Sequence, residues 1–305
     1  MQLKTLQDLL PYCMEHIPVK TLAVIKGEDD HTLAAAARAK HAGVIRVVLI
    51  GETAKINPLL EKIGEKPSDY EIIEAIEAKE AVACALSLVH AGQADFLMKG
   101  TVETKDLMKQ IVAKESGMRT GRLMSKFDFI ENPGYHKLVA LSDSALNPKP
   151  DLMAKKQIIQ NSLEVLYSMG IYKPKVAVLA AAETLNPKLQ ESTDAWELKQ
   201  MWERGEFTDC YLEGPISIDL ALEKESVRIK NYGSPVGGDA DLLICPDLVS
   251  GNLMGKGMTI TGAKAAGIIV GAKVPIVLMS RAAKVEDKFQ SIILGAIAAQ
   301  KGVQG

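Results

Sequence analysis

The chain has 305 residues, 47% of them hydrophobic, and its 38 acidic residues nearly cancel its 36 basic ones for a formal net charge of -2. That length accommodates two domains, each with a core of its own. No Lys/Arg block or stripe with interleaved aromatics appears, no apolar stretch reaches membrane-spanning length and no secretory leader is evident, so neither a nucleic-acid nor a membrane partner is expected and the expected compartment is the cytoplasm.

In chain order, residues 21–26 read as a strand ending in Gly27 and residues 32–40 as an Ala-rich helix. Residues 45–50 and 54–63 repeat that pair. A short strand at 70–73 and a long Ala-rich helix at 75–89 precede a strand at 94–98 that runs straight into Lys99-Gly100-Thr101. Short strands alternating with helices of about ten residues imply βαβ units and a mostly parallel sheet. The pattern then changes. Residues 121–130 and 136–141 look like two strands joined through Asn132-Pro133-Gly134. A helix at 152–169, a strand at 175–180, a helix at 194–204 and a strand at 241–245 follow. Strands at 266–270 and 274–279 and a last helix at 285–299 complete the chain. The expected class is α/β. No period of 20–50 residues repeats cleanly, which disfavours a solenoid. Two α/β layers sharing a cleft fit the element count better than a closed barrel.

The four cysteines, Cys13, Cys84, Cys210 and Cys245, show no CxxC spacing. Neither a disulfide scaffold nor a thiolate metal site is expected. The five histidines are scattered, without HxxxH or HExxH spacing, so no metal is expected from them either.

Open α/β sheets place their ligands beyond the carboxyl ends of their strands. The apolar run from Val274 to Met279 stops at Ser280-Arg281, which sets a hydroxyl and a guanidinium where an anion would be held. Asp287 follows on the next segment. Lys99-Gly100-Thr101 offers a second such place. Its glycine permits close backbone approach, and its lysine and the following helix start add positive potential. It lacks the GxxxxGK[ST] loop of nucleotide hydrolases. The plainer alternative is an ordinary β-to-α turn with a solvated lysine. After Pro246-Asp247, Gly251-Asn252 puts a short polar group at another strand end, and Asn252 is a ligand candidate. There the plainer alternative is a helix cap at Asp247 or Ser250. Asp219 and Asp247 are poor direct partners for phosphate and suit loop orientation or proton acceptance better. The glycines from Gly233 to Gly238 do not form a GxGxxG dinucleotide loop.

Three segments, in order, resemble the phosphate acyltransferase family of phosphate acetyltransferases and, more closely, phosphate butyryltransferases. They are Met98-Lys99-Gly100-Thr101 leading to Arg119-Thr120-Gly121-Arg122; Gly214-Pro215-Ile216-Ser217-Ile218-Asp219; and Ala240-Asp241 to Pro246-Asp247, Gly251-Asn252, then Ser280-Arg281-Ala282. The similarity spans roughly residues 15–303. Lys99-Gly100-Thr101 resembles the butyryltransferase form, where the acetyltransferase form has Ser-Gly-Ala.

The resemblance implies two α/β/α domains with an interdomain active-site cleft, an isocitrate/isopropylmalate dehydrogenase-like architecture. The first domain would be discontinuous, residues 1–125 and 270–305, with residues 126–269 inserted as the second. A homodimer or higher homo-oligomer is implied. No tightly bound cofactor is implied; coenzyme A and acyl-CoA are substrates, with phosphate. The implied activity is reversible transfer of a short-chain acyl group, butyryl by preference, between coenzyme A and inorganic phosphate. Alternatives are an acetyltransferase, an NAD-dependent dehydrogenase of similar architecture and a non-catalytic ligand-binding protein.

With acyl phosphate as substrate, a coenzyme A thiol loses its proton and attacks the carbonyl, and phosphate departs. Arg281 offers a rigid fork of donors for phosphate oxygens. Ser280 can donate to the oxygen that gains charge. Asp287 resembles the family's proposed thiol base, with Glu286 as the adjacent alternative. Lys99, Gly100, Thr101 and Asn252 are expected to contact the coenzyme A substrate. A second arginine of the acetyltransferase type has no clear match, although Lys109 lies near it in offset.

Overall fold

The computed structural model describes residues 3–280 and 283–300. Among them the chain begins with α1 (Leu9–His16) and then alternates: β1 (Lys20–Ile25), α2 (Asp30–His41), β2 (Ile45–Gly51), α3 (Thr53–Lys62), β3 (Glu71–Glu74), α4 (Ala78–His90), β4 (Phe96–Lys99) and α5 (Thr104–Ile111). A second run follows: β5 (Ser125–Glu131), β6 (Val139–Ser142), α6 (Leu152–Ser168), β7 (Lys175–Leu179), α7 (Gln190–Glu203), β8 (Tyr211–Ile216), α8 (Ile218–Leu222), α9 (Lys224–Ile229), β9 (Leu242–Ile244) and α10 (Leu248–Ile260). The chain closes with β10 (Lys264–Val270), β11 (Ile276–Val277) and α11 (Val285–Ala298).

These elements form two compact units. A discontinuous unit takes Gln7–Arg122 and the described residues from Ala266 onward, and an inserted unit takes Leu123–Ala265 with the described residues before Gln7. In the discontinuous unit the strand order is β3-β2-β1-β4-β11-β10. All neighbours are parallel except β10 with β11. Residues 21–25 of β1 are all buried, as a central strand covered on both faces requires. In the inserted unit the order is β5-β6-β9-β7-β8, with β5 and β6 antiparallel and the rest parallel. Leu141, Ala177, Ile216 and Leu243 meet in one core there. Both strand orders are open rather than cyclic, which removes the closed barrel.

Three local expectations change. The run at 274–279 is strand only at Ile276–Val277. Pro275 has no N–H to give to a ladder, although its carbonyl accepts from the Leu97 amide at 3.0 Å. The strand at 121–130 starts at Ser125, because Thr120 is engaged with the Gly271 carbonyl instead (2.8 Å). Five elements emerge that the sequence pattern did not announce, α1, α8, α9, β8 and α10, and a local cause is plain for the last two. Strand β8 contains Gly214-Pro215, which suits a strand at the end of the order. Helix α10 carries three glycines but starts from a full capping box at Asp247 and Ser250.

Candidate active site

The discontinuous unit gathers several candidates by strand register alone. β1, β4 and β11 run parallel and adjacent, with Ile25 opposite Lys99 and Met98 opposite Val277. Their carboxyl ends therefore fall on one edge of the sheet, and Lys99-Gly100-Thr101 and Ser280 leave from neighbouring strands.

At that edge Gly100 has a definite steric reason. A Cβ there would lie 2.0 Å from the Lys26 carbonyl oxygen and 2.8 Å from that of Ile25. The expected close approach to glycine is thus made by the end of β1. It is closed by hydrogen bonds from the Gly100 amide to Ile25 (2.8 Å) and from the Thr101 amide to Lys26 (2.8 Å). Lys99 is not a solvated lysine. It is only 7% exposed, and its ammonium donates to the carbonyls of Gly100 (3.2 Å) and Val102 (3.0 Å), which shapes the turn it belongs to. Beside it Lys26 is buried against Glu28 (2.6 Å) and donates to the Ile76 carbonyl (2.8 Å).

Ser280 is exposed, and its carbonyl accepts from the Ala283 amide (3.1 Å) in a tight approach to α11. Arg281 lies outside the described residues. Asp287 stands in the first turn of α11 and is half-buried. Its backbone carbonyl accepts from Ser291 Oγ (2.7 Å), which in turn accepts from the Gly267 amide (3.0 Å), so β10 and α11 are tied together at this turn. Among the described residues no hydrogen bond or ion pair reaches the Asp287 carboxylate, so a helix-capping role for it finds no bond. Its neighbour Glu286 differs. It is paired with Arg38 of α2, accepts from Gln290 Nε2 (2.8 Å), and Arg38 itself lies 3.8 Å over the Phe289 ring. The structure separates the two carboxylates that adjacency in sequence left together.

Asn252 belongs to the inserted unit. Its side-chain amide donates to the Ser144 carbonyl (3.2 Å), and Gly251 beside it allows this contact, because a Cβ there would lie 2.6 Å from the Asp143 carbonyl oxygen. Asp247 is the N-cap of α10, and the hydrogen bond from the Ser250 amide (2.8 Å) holds its carboxyl below the usual carboxylate range. The plainer alternative for Asp247 is thus what the structure contains. Asp219 sits 3.2 Å from Lys230, a surface ion pair.

Asp143, not singled out by the sequence pattern, organises this loop. It is 2% exposed. Its carboxylate accepts from the amides of Lys126 (3.1 Å), Ala145 (3.0 Å), Leu146 (3.1 Å) and Asn147 (3.0 Å) and from the Asn147 side chain. The signal available in the sequence was the Asp-to-Asn spacing directly after a strand, a pattern that favours side-chain-to-backbone turns. Lys109 is exposed in the last turn of α5 and joins none of these groups. Among the described residues no three or more His, Cys, Asp and Glu side chains are grouped to hold a metal, and no helix is long and apolar enough to cross a membrane.

Residues 54–296 match a family model described as phosphate acetyl/butaryl transferase. The chain is 38% identical to the phosphate butyryltransferase of Clostridium acetobutylicum, over 92% of this chain and 94% of that one. It is 37% identical to the phosphate acetyltransferase of Rhizobium meliloti, over 90% and 87%. Its mixed α/β fold is that of solved relatives: a branched-chain phosphotransacylase from Enterococcus faecalis V583 superposes with a TM-score of 0.81 at 30% identity, covering 92% of this chain and 99% of that one.

Proposed function

The chain belongs to the phosphate acetyl/butyryl transferase family, enzymes that reversibly move an acyl group between coenzyme A and phosphate, and from that premise we propose that its preferred acyl group is short-chain, butyryl before acetyl. The observation that carries the site is the common edge formed by the carboxyl ends of β1, β4 and β11, where Lys99-Gly100-Thr101 and Ser280 emerge. The fold is read as two α/β/α units of the isocitrate and isopropylmalate dehydrogenase type, with Asn252 belonging to the inserted unit.

Starting from acyl phosphate, the thiol proton passes to Asp287 and the sulfur attacks the carbonyl carbon. The new C–S bond forms a tetrahedral centre whose oxygen takes the Ser280 hydroxyl as donor. The C–O bond to phosphate then breaks, and Arg281 holds the departing anion through a fork of charge-assisted hydrogen bonds. Asp287 suits the proton step because its carboxylate is accessible and uncommitted among the described residues, whereas Glu286 is engaged by Arg38. Lys99 and Thr101 shape the turn against which coenzyme A is read to lie. No covalent acyl-enzyme is required when both substrates are bound together.

Relatives named for butyryl and for acetyl transfer are about equally similar, so the butyryl preference rests on the Lys99-Gly100-Thr101 form. Two more buried methylenes contribute about 1.6 kcal/mol, roughly fifteen-fold in kcat/KM. Comparing acetyl-, butyryl-, isobutyryl- and valeryl-CoA with phosphate tests it. A preference for acetyl-CoA overturns the butyryl assignment and leaves an acetyltransferase. Replacing Arg281 by Ala is expected to cut phosphate-dependent turnover strongly with folding retained; unchanged phosphate kinetics would reject it as the anchor.

A further inference from the structure

Lys288 follows Asp287 in the chain but is only 3% exposed, and the acyl-transfer steps above make no use of it. Its ammonium lies 2.6 Å from Asp29 Oδ2 and 3.0 Å from Thr32 Oγ1. Asp29 is the N-cap of α2, and its carboxylate also accepts from the Thr32 amide (3.0 Å) and the Thr32 hydroxyl. Burial acts to raise the Asp29 carboxyl, but the bonds from Lys288 and Thr32 outweigh it and hold it below the usual range. The same turn of α2 reaches the loop before α11, where His31 Nδ1 is 3.4 Å from the Ala283 carbonyl. One end of α2 therefore grips both the loop that follows Ser280 and the helical turn that carries Asp287.

Packing alone does not call for a charge at this position. Desolvating an ion pair costs several kcal/mol per ion, and an apolar replacement of similar volume is often neutral or stabilising. What the pair adds is direction. Consecutive helical residues are about 100° apart around the axis. A Lys288 pinned toward α2 therefore sets how far Asp287 is turned away from it, and the half-buried Asp287 carboxylate without a described partner is the group so presented. Ser291, bonded to both Asp287 and Gly267, ties α11 to β10, and Glu286 of the first turn reaches Arg38 at the exposed side, so Lys288 is the buried contact of that turn with α2.

We propose that Lys288, held by Asp29 and Thr32, is a positioning residue that fixes the rotation of α11 and so aims Asp287 at the thiol, an inference that rests on the assignment of Asp287 as the base. The test uses the full chain with Lys288→Met, Lys288→Arg, the double variant Asp29→Asn/Lys288→Met, and Asp287→Asn. Each is followed by thermal melting and by steady-state kinetics with phosphate and the acyl-CoA the parent prefers. Lys288→Met is expected to keep a cooperative melt, lose at least tenfold in kcat and hold both KM values within twofold. Lys288→Arg, which keeps the charge, should recover most of the turnover. If Lys288→Met loses its melt because Asp29 is left buried without its cation, the double variant, with both charges gone, takes its place with the same expected kinetics. A folded variant whose kcat stays within twofold of the parent, or whose loss is in KM alone, overturns the positioning role. Asp287→Asn tells the two failures apart. Parent-like turnover in that variant removes the base itself, whereas an inactive Asp287→Asn beside a fully active Lys288→Met removes only the positioning by Lys288.

Discussion

Asp143, in the loop from β6 to α6 of the inserted unit, and Asp287, in the first turn of α11 of the discontinuous unit, both follow a strand, and their surroundings are opposite. Asp143 is almost wholly buried and accepts from four backbone amides and the Asn147 side chain. Asp287 is half-buried, and no described donor reaches its carboxylate. A carboxylate saturated with fixed donors is tied to its loop, since moving it strands several amides without partners. One that is held only through its backbone can take up a proton without dismantling the fold. Residue type and position after a strand are shared by the two; the count of donors separates a structural carboxylate from one open to chemistry.

The comparison breaks most sharply under substitution. Asp287→Asn should lower kcat by about 10²–10⁴-fold, the usual contribution of a general base. Both KM values and the melting temperature should stay close to the parent's, the pattern of an interaction lost only in the transition state. A parent-like kcat, or a fallen melting temperature, would place Asp287 with the structural carboxylates. Asp143→Ala should show the reverse. Buried donors left without an acceptor cost about 1–3 kcal/mol each before relaxation, so a loss of about 3 kcal/mol or more is expected in urea unfolding. An Asp143→Ala protein with an unchanged urea midpoint would mean that the five donors find other partners at no cost.

Acid should remove the stability that the donor-rich carboxylates contribute. Burial works to raise Asp239, but hydrogen bonds from Lys175, Lys137 and His136 outweigh it and hold its carboxyl far below the usual range. The Ser250 amide lowers Asp247, and Lys288 with Thr32 lowers Asp29 against the effect of burial. Each is depressed in the folded state relative to an ordinary value of 3.8. Each therefore contributes stability that is fully present above about pH 4 and is lost as the pH falls through the folded-state values. Urea midpoints measured at pH 7, 4 and 3 should hold between the first two and drop at the third. Asp239→Asn should be less stable at pH 7 and show a shallower drop in acid. A midpoint equal at pH 3 and pH 7 would contradict this assignment.

Much of the fold was readable because local chemistry and tertiary role agree. The apolar run of β1, the Ala-rich α2 and α4, and the passage from β4 into Lys99-Gly100-Thr101 all lie within a residue or two or a few of where periodicity put them. The misses have physical causes. Gly214-Pro215 disguised β8, three glycines lowered the helical signal of α10, and Pro275 shortened β11. Of the candidate site, the placement of Lys99-Gly100-Thr101 at a strand end was legible from pattern, and register carries it to the edge that β1 and β11 share. The partners that hold the candidate residues were not. Lys288 meets Asp29 across 259 positions of sequence, and Asp143 looks in sequence like any turn aspartate. Such pairings exist only once the fold has brought the elements together.

The smallest effect expected is at Glu286, and it sharpens the comparison by keeping everything but the role. Glu286 is in the same helical turn as Asp287, one residue away, and carries the same functional group. It is committed to Arg38 and Gln290, and both it and Arg38 remain substantially exposed, with side-chain exposures of 43% and 49%. Exposed ion pairs of this kind contribute about 0.2–1 kcal/mol. Glu286→Gln keeps the shape and the acceptor for Gln290 and removes only the charge. It should lower stability by no more than that amount and leave kcat within about threefold of the parent, a shift of about 0.6 kcal/mol in the barrier. The acidic limb of the kcat/KM profile should remain in Glu286→Gln and vanish with the activity in Asp287→Asn, because the limb belongs to the group that takes the thiol proton. If instead Glu286→Gln abolishes turnover while Asp287→Asn spares it, the base is the carboxylate that faces Arg38, and its ion pair has to open during each catalytic cycle.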